Sequence, residues 1–293
     1  MRKKNKRQKF TIFDVLMYGL VGIMAIACLY PFVNVLAYSF SGANAVLSND
    51  VTFYPKDFTL AAYQNVFARP AIWNAMRTTV IITLVGTALS LVLTIAAAYA
   101  LSYENLPGRR ALSGFILFTM YFSGGIIPTF LVVKNLGMYD SLAALIIPNA
   151  ISVFNFVVMR TFFREIPREL YEAAQIDGAT EMQVLFRVVL QLSLPIIATI
   201  GLFYAVNYWN DYFQALLYIS DGDKYTLQLR LRSLLFANEL NSDPSNSEGI
   251  GTQVMTQSLK MASVAVATIP IILVYPWLQK YFVKGMTLGS VKG

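Results

Sequence analysis

Polar side chains able to bind a hydroxylated solute interrupt two otherwise apolar stretches of this chain. Amide and carboxylate groups hydrogen-bond to hydroxyl groups, and aromatic faces stack on the apolar faces of sugar rings. Polar residues in such stretches usually face a solute pathway, although they also join helices without touching any solute. The candidates for lining a pathway are Asn149, Asn155, Asn207, Tyr208, Trp209, Asn210 and Asp211.

Residues that catalyse reactions or hold metals are scarce in the chain. It has no histidine, and Cys28 is its one cysteine. Histidine-based acid/base chemistry, Cys/His metal sites and an intrachain disulfide are therefore excluded. No Gly-x-x-x-x-Gly-Lys-Ser/Thr phosphate loop occurs. We expect no catalytic residue, no metal site and no cofactor in this chain, so any ATP and magnesium must be bound by another chain.

Composition predicts the elements that position these side chains. Apolar residues make up 56% of the chain and charged residues 13%, and the apolar residues form runs long enough to cross a hydrocarbon core of about 30 Å. We predict an all-α integral membrane protein, a single transmembrane domain over residues 1–293 with about six transmembrane helices. The predicted spans are about 12–40, 74–102, 111–133, 141–163, 195–220 and 258–282.

The distribution of basic residues predicts the orientation. They concentrate before the first span, at Arg109 and Arg110, around the fourth span and at the end of the chain. The positive-inside rule then places both termini in the cytoplasm. The basic start also resembles a signal peptide, but the length of the first apolar run predicts an uncleaved helix. The net charge of +7 reflects this topology rather than nucleic-acid binding.

Two longer connections, 41–73 and 221–257, are predicted to lie outside. In the first, Thr59 can cap a short helix over residues 60–67. The second contains a polar, turn-rich stretch over residues 241–249, which predicts a mobile protruding loop rather than a folded domain.

The cytoplasmic connection 164–194 reads as two short helices. The first starts near Pro167, pairs Arg168 with Glu172 on one face, and ends where Gly178 can adopt a left-handed conformation. The second is predicted from Thr180 to about Leu192. Its expected apolar stripe consists of Met182, Leu185, Phe186, Val189 and Leu192.

This connection resembles the EAA loop of bacterial ATP-binding-cassette importer permeases. The resemblance implies a coupling helix that docks in a cleft of a cytoplasmic ATPase. Gln191 occupies a position where the family usually has proline, so we expect the second helix to continue towards Pro195. The residues that the resemblance assigns to ATPase coupling are Arg168, Glu172, Ala173, Ala174, Asp177 and Gly178.

Further stretches, 58–63, 209–212 and 224–227, resemble the carbohydrate-importer permeases related to the shorter permease of the maltose system. Residues 122–129 and 284–293 resemble a subgroup associated with complex oligosaccharides, including pectin-derived ones. The implied partners are a homologous second permease, two ATPase subunits and an extracytoplasmic sugar-binding protein in a bacterial cell membrane. The tail Val291, Lys292 and Gly293 is implied to lie at the ATPase interface.

Two other classes remain as alternatives. An ion-coupled secondary transporter needs ionisable residues near the bilayer midplane, and apart from Asp211 the predicted spans offer almost none. A membrane-embedded enzyme is disfavoured because the chain lacks histidine and paired intramembrane carboxylates.

Overall fold

The computed structural model describes residues 12–240, 257–273 and 276, and this part of the chain is helical and contains no strand. The described residues form two compact units, 12–68 with 234–240 and 257–266, and 69–233 with 267–273 and 276. The all-α prediction is confirmed. The helices are α1 (Ile12–Ser39), α2 (Ala43–Leu47), α3 (Ala61–Phe67), α4 (Pro70–Ser102), α5 (Arg109–Tyr121), α6 (Ile126–Asn135), α7 (Ala143–Ile146), α8 (Val153–Glu165), α9 (Arg168–Ile176), α10 (Glu181–Val184), α11 (Leu190–Leu192), α12 (Leu194–Trp209), α13 (Phe213–Tyr218), α14 (Leu227–Leu240) and α15 (Gln257–Leu273).

Two of the described helices, α1 and α4, are each long enough and apolar enough to cross a membrane. Two bent pairs, α5 with α6 and residues 181–192 with α12, raise the number to four if each pair counts as one span. The described part of the sixth predicted span is α15, and residues beyond 276 lie outside the described residues. The number of six spans therefore stays a prediction.

In the first unit, hydrogen bonds and rings join the end of α1 to the segment before α3. The Ser39 and Tyr63 hydroxyl oxygens lie 2.9 Å apart, and the Phe40 ring stacks on Phe58 with 5.5 Å between centroids. The Thr59 hydroxyl oxygen accepts a hydrogen bond from the Ala61 backbone N–H at 3.2 Å. The short helix expected over 60–67 thus begins at Ala61 as α3.

In the second unit, α4 packs against α12 and α8 along a seam of small and hydroxyl-bearing residues. A Cβ atom on Gly86 would lie 2.7 Å from the Tyr208 ring, so only glycine permits this approach. Successive turns of α4 then place Ser90 at 2.9 Å from the Tyr208 hydroxyl and Thr94 at 2.7 Å from the Tyr204 hydroxyl. These buried hydroxyl pairs fix the register of α4 on α12.

Gly124, Gly125, Pro128 and Pro148 predict kinks in the third and fourth spans, and both of these spans, together with the fifth, are broken. The third bends by 117° between α5 and α6, at a point where Gly125 has φ +89°. The fourth, 141–163, is interrupted between α7 and α8, a stretch that contains Pro148. The fifth, 195–220, ends as α12 at Trp209 and resumes as α13 at Phe213. A helix break inside an apolar segment requires protein or water to satisfy the freed backbone groups, so these breaks mark cavities or interfaces.

The second predicted outer connection, 221–257, is partly helical rather than an extended loop. A 3-10 turn covers Gly222–Lys224 and α14 begins at Leu227. The Thr226 hydroxyl accepts from the Leu229 N–H at 3.3 Å and donates to the Asp211 carbonyl at 2.9 Å, which anchors the start of α14. The sequence-based prediction for this connection was a protruding loop and did not include α14. The turn-rich residues 241–249 lie outside the described residues.

Candidate functional site

The first helix of the EAA loop, α9, has none of its nine residues buried. It starts after Pro167 and carries Glu169 in its first turn, where a negative charge interacts favourably with the positive end of the helix dipole. It ends in a Schellman motif, because the Gly178 N–H donates to the Gln175 carbonyl at 3.0 Å and the Ala179 N–H to the Ala174 carbonyl at 2.9 Å. Gly178 has φ +82°, as the expected left-handed cap requires.

One side of α9 faces solvent and has the composition of a contact surface. Glu172 and Ala173 are exposed, and Ile176 follows one turn later with 85% of its surface accessible. We call these three residues the docking face. A large apolar side chain that is almost fully exposed beside a small residue and a carboxylate is typical of a surface covered by a partner.

The opposite side of α9 is held by the protein. Ala174 and Tyr171 pack against the main hydrophobic cluster, and burial raises the pKa of the Tyr171 hydroxyl. Arg168 pairs with Glu104 at 2.6 Å, although both side chains are about half exposed. Such an exposed pair contributes at most about 1 kcal/mol. The helix is therefore positioned mainly through Tyr171 and Ala174.

The second helix of the EAA loop begins with a complete capping box. The Thr180 hydroxyl accepts from the Gln183 N–H, and the Gln183 side chain accepts from the Thr180 N–H at 2.8 Å. The helix continues through Gln191 to Leu192, as the missing proline predicted, and contains a π-helical turn at Leu185–Val189.

The predicted apolar stripe of this second helix is partly wrong. Leu185, Val189 and their neighbour Val184 are buried, whereas Met182, Phe186 and Leu192 are 61%, 59% and 47% exposed. The π-helical turn at Leu185–Val189 has more residues per turn than an α-helix, so the buried face from this turn onwards is rotated away from the one that α-helical spacing predicts.

The polar cluster that follows α12 opens onto a cavity of about 340 Å³. The helix ends at Trp209, and the Asp211 Oδ1 atom accepts a hydrogen bond from the Gln214 backbone N–H at 3.1 Å, which caps the start of α13. This break turns a row of consecutive residues into the wall of a pocket. The residues that line this pathway cavity are Asn149, Asn207, Tyr208, Asn210, Asp211, Tyr212, Phe213 and Gln214.

Two acceptor oxygens in this wall have no hydrogen-bond donor within the described part of the chain. They are the Asp211 Oδ2 atom and the Gln214 Oε1 atom, and both are buried. A buried acceptor without a donor costs about 1–3 kcal/mol, so such oxygens are usually satisfied by water or by a ligand. Their position in the wall of one cavity makes it suited to a solute with several hydroxyl groups.

Residues 90–288 match the family described as the binding-protein-dependent transport system inner membrane component. The chain belongs to this family. The resemblance to importer permeases drawn from the EAA loop is thereby confirmed, and the chain is a membrane subunit of a transport system rather than an enzyme.

Several relatives of this permease are named for sugars. It is 45% identical to the polygalacturonan/rhamnogalacturonan transport system permease protein YtcP of Bacillus subtilis (strain 168), over 97% of this chain and 100% of that protein. It is 26% identical to the arabinooligosaccharides transport system permease protein AraQ of Halalkalibacterium halodurans, over 98% of this chain and 100% of that protein. A solved bacterial ABC transporter involved in the import of the acidic polysaccharide alginate aligns with TM-score 0.86 and 34% identity, over 94% of this chain and 100% of the matched chain. The predicted likeness to carbohydrate permeases is confirmed.

Not all of the predicted pathway residues line the cavity of the permease. Trp209 instead donates through Nε1 to the Ala267 carbonyl at 3.2 Å. Asn155 is buried on α8 with 5% of its surface accessible, and it is not part of the cavity wall. Tyr208 reaches the wall, but its hydroxyl group is held by Ser90. Asn149, Asn207, Asn210 and Asp211 remain as the candidates for contact with solute.

Four residues that the structure brings to these sites were not predicted from the sequence. Ile176 lies four positions after Glu172, and that helical spacing places both on one face. Tyr212, Phe213 and Gln214 line the pathway cavity, but they follow the polar cluster and were read as part of a continuous span. A helix break after Trp209 was the signal needed to find them.

Proposed function

We propose that this permease imports an acidic oligosaccharide across a bacterial cell membrane. The proposal is supported by the names of two relatives that cover nearly the whole chain, one for polygalacturonan and rhamnogalacturonan and one for alginate. It works with a homologous second permease, two ATPase subunits and an extracytoplasmic binding protein that delivers the sugar. Both of its termini are cytoplasmic, as the basic residues indicate.

The ATPase docks on the docking face of α9. The observation that carries this assignment is the 85% exposure of Ile176 beside Glu172 and Ala173, on a helix whose other side is packed. Closure of the ATPase pair on ATP and magnesium shifts the permease between inward-facing and outward-facing states. The chain itself binds neither ATP nor magnesium.

The oligosaccharide passes the pathway cavity. Asp211 Oδ2 and Gln214 Oε1 accept hydrogen bonds from sugar hydroxyl groups, and the amides of Asn149, Asn207 and Asn210 supply donors as well as acceptors. Phe213 supplies an aromatic ring in the cavity wall on which a sugar ring can stack, whereas the Tyr212 ring already has the Arg232 guanidinium over it, 4.2 Å from the ring centroid. Several weak contacts suit a pathway, because a solute must enter a site and also leave it.

Uptake by the complex reconstituted in vesicles tests this function. With the binding protein and oligogalacturonate outside and ATP inside, we expect labelled sugar to accumulate. A hydrolysis-deficient ATPase should abolish accumulation while an ionophore leaves it unchanged. Accumulation that needs an ion gradient and survives loss of ATP hydrolysis would favour the secondary-transporter alternative. Neutral arabino-oligosaccharides of equal length, supplied with the same binding protein, test the acidic substrate class.

Two further parts of the proposal lie outside the described residues. The loop 241–249 contacts the binding protein, and the tail Val291, Lys292 and Gly293 lies near the ATPase dimer interface. A cysteine replacing Val291 in a cysteine-free background should crosslink to the ATPase. No crosslink in any nucleotide state would remove the tail from the interface.

A further inference from the structure

The Glu181 carboxylate receives hydrogen bonds from three directions. Tyr103 donates its hydroxyl to Oε2 at 2.7 Å, and Gln175 donates Nε2 to Oε1 at 2.8 Å. The Tyr99 hydroxyl lies 3.1 Å from the same Oε2 atom and 2.6 Å from the Tyr103 hydroxyl, so its single proton is shared between these acceptors. We call these four residues the Glu181 cluster.

The Glu181 cluster joins three elements. Tyr99 lies on the last turn of α4 and Tyr103 follows it, Gln175 belongs to the last turn of α9, and Glu181 is the first residue of α10. Rings reinforce the hydrogen bonds, since Tyr103 meets Tyr99 edge-on at 5.2 Å and Tyr171 of α9 at 6.0 Å. Burial is the main cause that raises the pKa of Tyr103, so its hydroxyl remains a donor at any physiological pH.

The end of α4 that the cluster holds belongs to the longest described helix of this permease. Further along α4, Thr94 and Ser90 are hydrogen-bonded to Tyr204 and Tyr208 of α12. Tyr208 in turn lines the pathway cavity. A continuous set of hydrogen-bonded and packed groups therefore runs from α9 to the cavity wall through α4.

We propose that Glu181 is a positioning residue for transport: it couples displacement of α9 to displacement of α4, and thereby to the pathway cavity. This inference rests on the proposed function, in which the ATPase moves α9. Glu181 acts through Gln175, Tyr99 and Tyr103 and touches neither the ATPase nor the sugar. The Arg168–Glu104 pair makes a second link between α9 and the segment after α4. Glu181 and Gln175 are exposed as well, and the Glu181 cluster differs from this pair in having hydrogen bonds from several side chains and packed tyrosine rings.

The test measures sugar transported per ATP hydrolysed by the reconstituted complex. Glu181→Ala should lower this ratio by roughly three- to tenfold, the range expected when hydrogen bonds to a charged group are lost at a partly exposed site. Tyr103→Phe keeps the ring but removes the donor, and should lower the ratio by about threefold. Glu181→Gln keeps one acceptor oxygen and should retain more coupling than Glu181→Ala. All three variants should retain the ATPase on purification.

The matched control is Glu165→Ala. Glu165 is an exposed carboxylate that lines one surface cavity together with Glu181, but it is not part of the Glu181 cluster. We expect this control to transport normally. In the double variant Glu181→Ala/Tyr103→Phe, the loss should equal that of Glu181→Ala alone, since both changes remove one shared interaction.

Three results for the ratio of sugar transported to ATP hydrolysed would overturn the inference. One is an unchanged ratio in Glu181→Ala and Tyr103→Phe; another is an equal loss in Glu165→Ala; the third is additive losses in the double variant. Loss of the ATPase from Glu181→Ala with a normal ratio in Tyr103→Phe would also overturn it, since Glu181 would then serve only local folding. Glu172→Lys tests the docking role of α9 separately from the role of Glu181. If this variant retains ATPase binding and uptake, the docking role of α9 is wrong, and the inference about Glu181, which rests on it, is wrong too.

Discussion

The Glu181 cluster and the pathway cavity are both polar, yet their hydrogen-bonding groups are satisfied differently. Both oxygens of Glu181 accept from donors of this chain, at 2.7 and 2.8 Å. In the cavity, Asp211 Oδ2 and Gln214 Oε1 have no such donor among the described residues. Saturated groups hold elements in a fixed arrangement, whereas unsaturated acceptors are available to a solute. The comparison thus separates residues that transmit movement from residues that contact the sugar.

The largest effect is expected on the coupling side of this comparison. Glu172→Lys reverses the charge of the docking face. We expect the Glu172 carboxylate to meet a basic residue of the ATPase, so the lysine should repel that residue. The repulsion, together with desolvation, should weaken docking by on the order of 2 to 4 kcal/mol. Insertion in the membrane should remain near normal, because Glu172 is exposed in this chain. Co-purification of the ATPase and uptake of sugar measure the loss. Glu169→Lys, one turn earlier, shows whether any added positive charge on α9 is enough.

Asp211→Asn distinguishes the roles of the two oxygens of the Asp211 carboxylate. The amide oxygen can still accept from the Gln214 N–H, but an NH2 group replaces Oδ2, so this position donates and no longer accepts from a sugar hydroxyl. We expect uptake to fall by about tenfold, the loss of one hydrogen bond to a charged group. The ATPase activity stimulated by the binding protein should persist. If uptake stays at the wild-type rate, Asp211 does not contact the solute.

Gly86→Ala tests the seam between the two regions. The new Cβ would approach the Tyr208 ring to 2.7 Å, and overpacking of this kind costs about 1–3 kcal/mol. We expect a lower melting temperature of the purified permease and reduced uptake, because Tyr208 must move. Gly114→Ala is the matched control, since a Cβ there meets nothing within 4 Å. Equal melting temperatures for the two variants would contradict the close packing of Gly86 against Tyr208.

Gly178→Val tests the Schellman motif alone. Nothing lies within 4 Å of an added Cβ, so the change acts only through the backbone at φ +82°. The strain is roughly 1 to 3 kcal/mol and should rotate α10 relative to α9. Transport per ATP measures the consequence. Gly178→Asn should be much milder, since asparagine tolerates the left-handed conformation, and equal losses in both variants would point to a cause other than strain.

The smallest effect is expected at Asp140, which lies outside both regions. Its carboxylate accepts from the Asp221 and Ser220 N–H groups at 3.0 Å and from Lys224 at 3.2 Å, and these bonds, with Asp221 the largest cause, lower its pKa. A carboxyl group whose pKa is lowered by folding stabilises the folded state at pH values above its unfolded-state pKa. This stabilisation is lost as the pH falls through the folded-state pKa. Asp140→Asn should therefore lower the melting temperature by a few degrees at neutral pH, and the difference should vanish in acid. A difference that is independent of pH would contradict this.

Local patterns were sufficient for the EAA loop, because its signals act over one or two turns. Pro167 and Gly178 bound α9 as expected, and Gln191 allows the second helix to continue. The π-helical turn at Leu185–Val189 could not be expected from α-helical spacing, and it is the reason that Phe186 is exposed. The helix break after Trp209 was missed for a related reason, since an apolar run without glycine or proline carries no sign of where neighbours will satisfy the freed backbone, whereas Pro148 predicts the break between α7 and α8.

The sequence by itself determined that this chain is a helical membrane protein, that it carries an EAA loop, and which family it belongs to. These properties depend on composition and on short spacings, and both can be read from the chain directly. Only the tertiary structure decided which polar residues share a cavity. Asn210 and Asp211 enter the wall while their neighbour Trp209 bonds to Ala267, and Asn149 enters it while Asn155 is buried on α8. Which way a polar side chain points in an apolar segment depends on the helices packed around it, and those contacts join residues far apart in the chain, such as Ser90 and Tyr208.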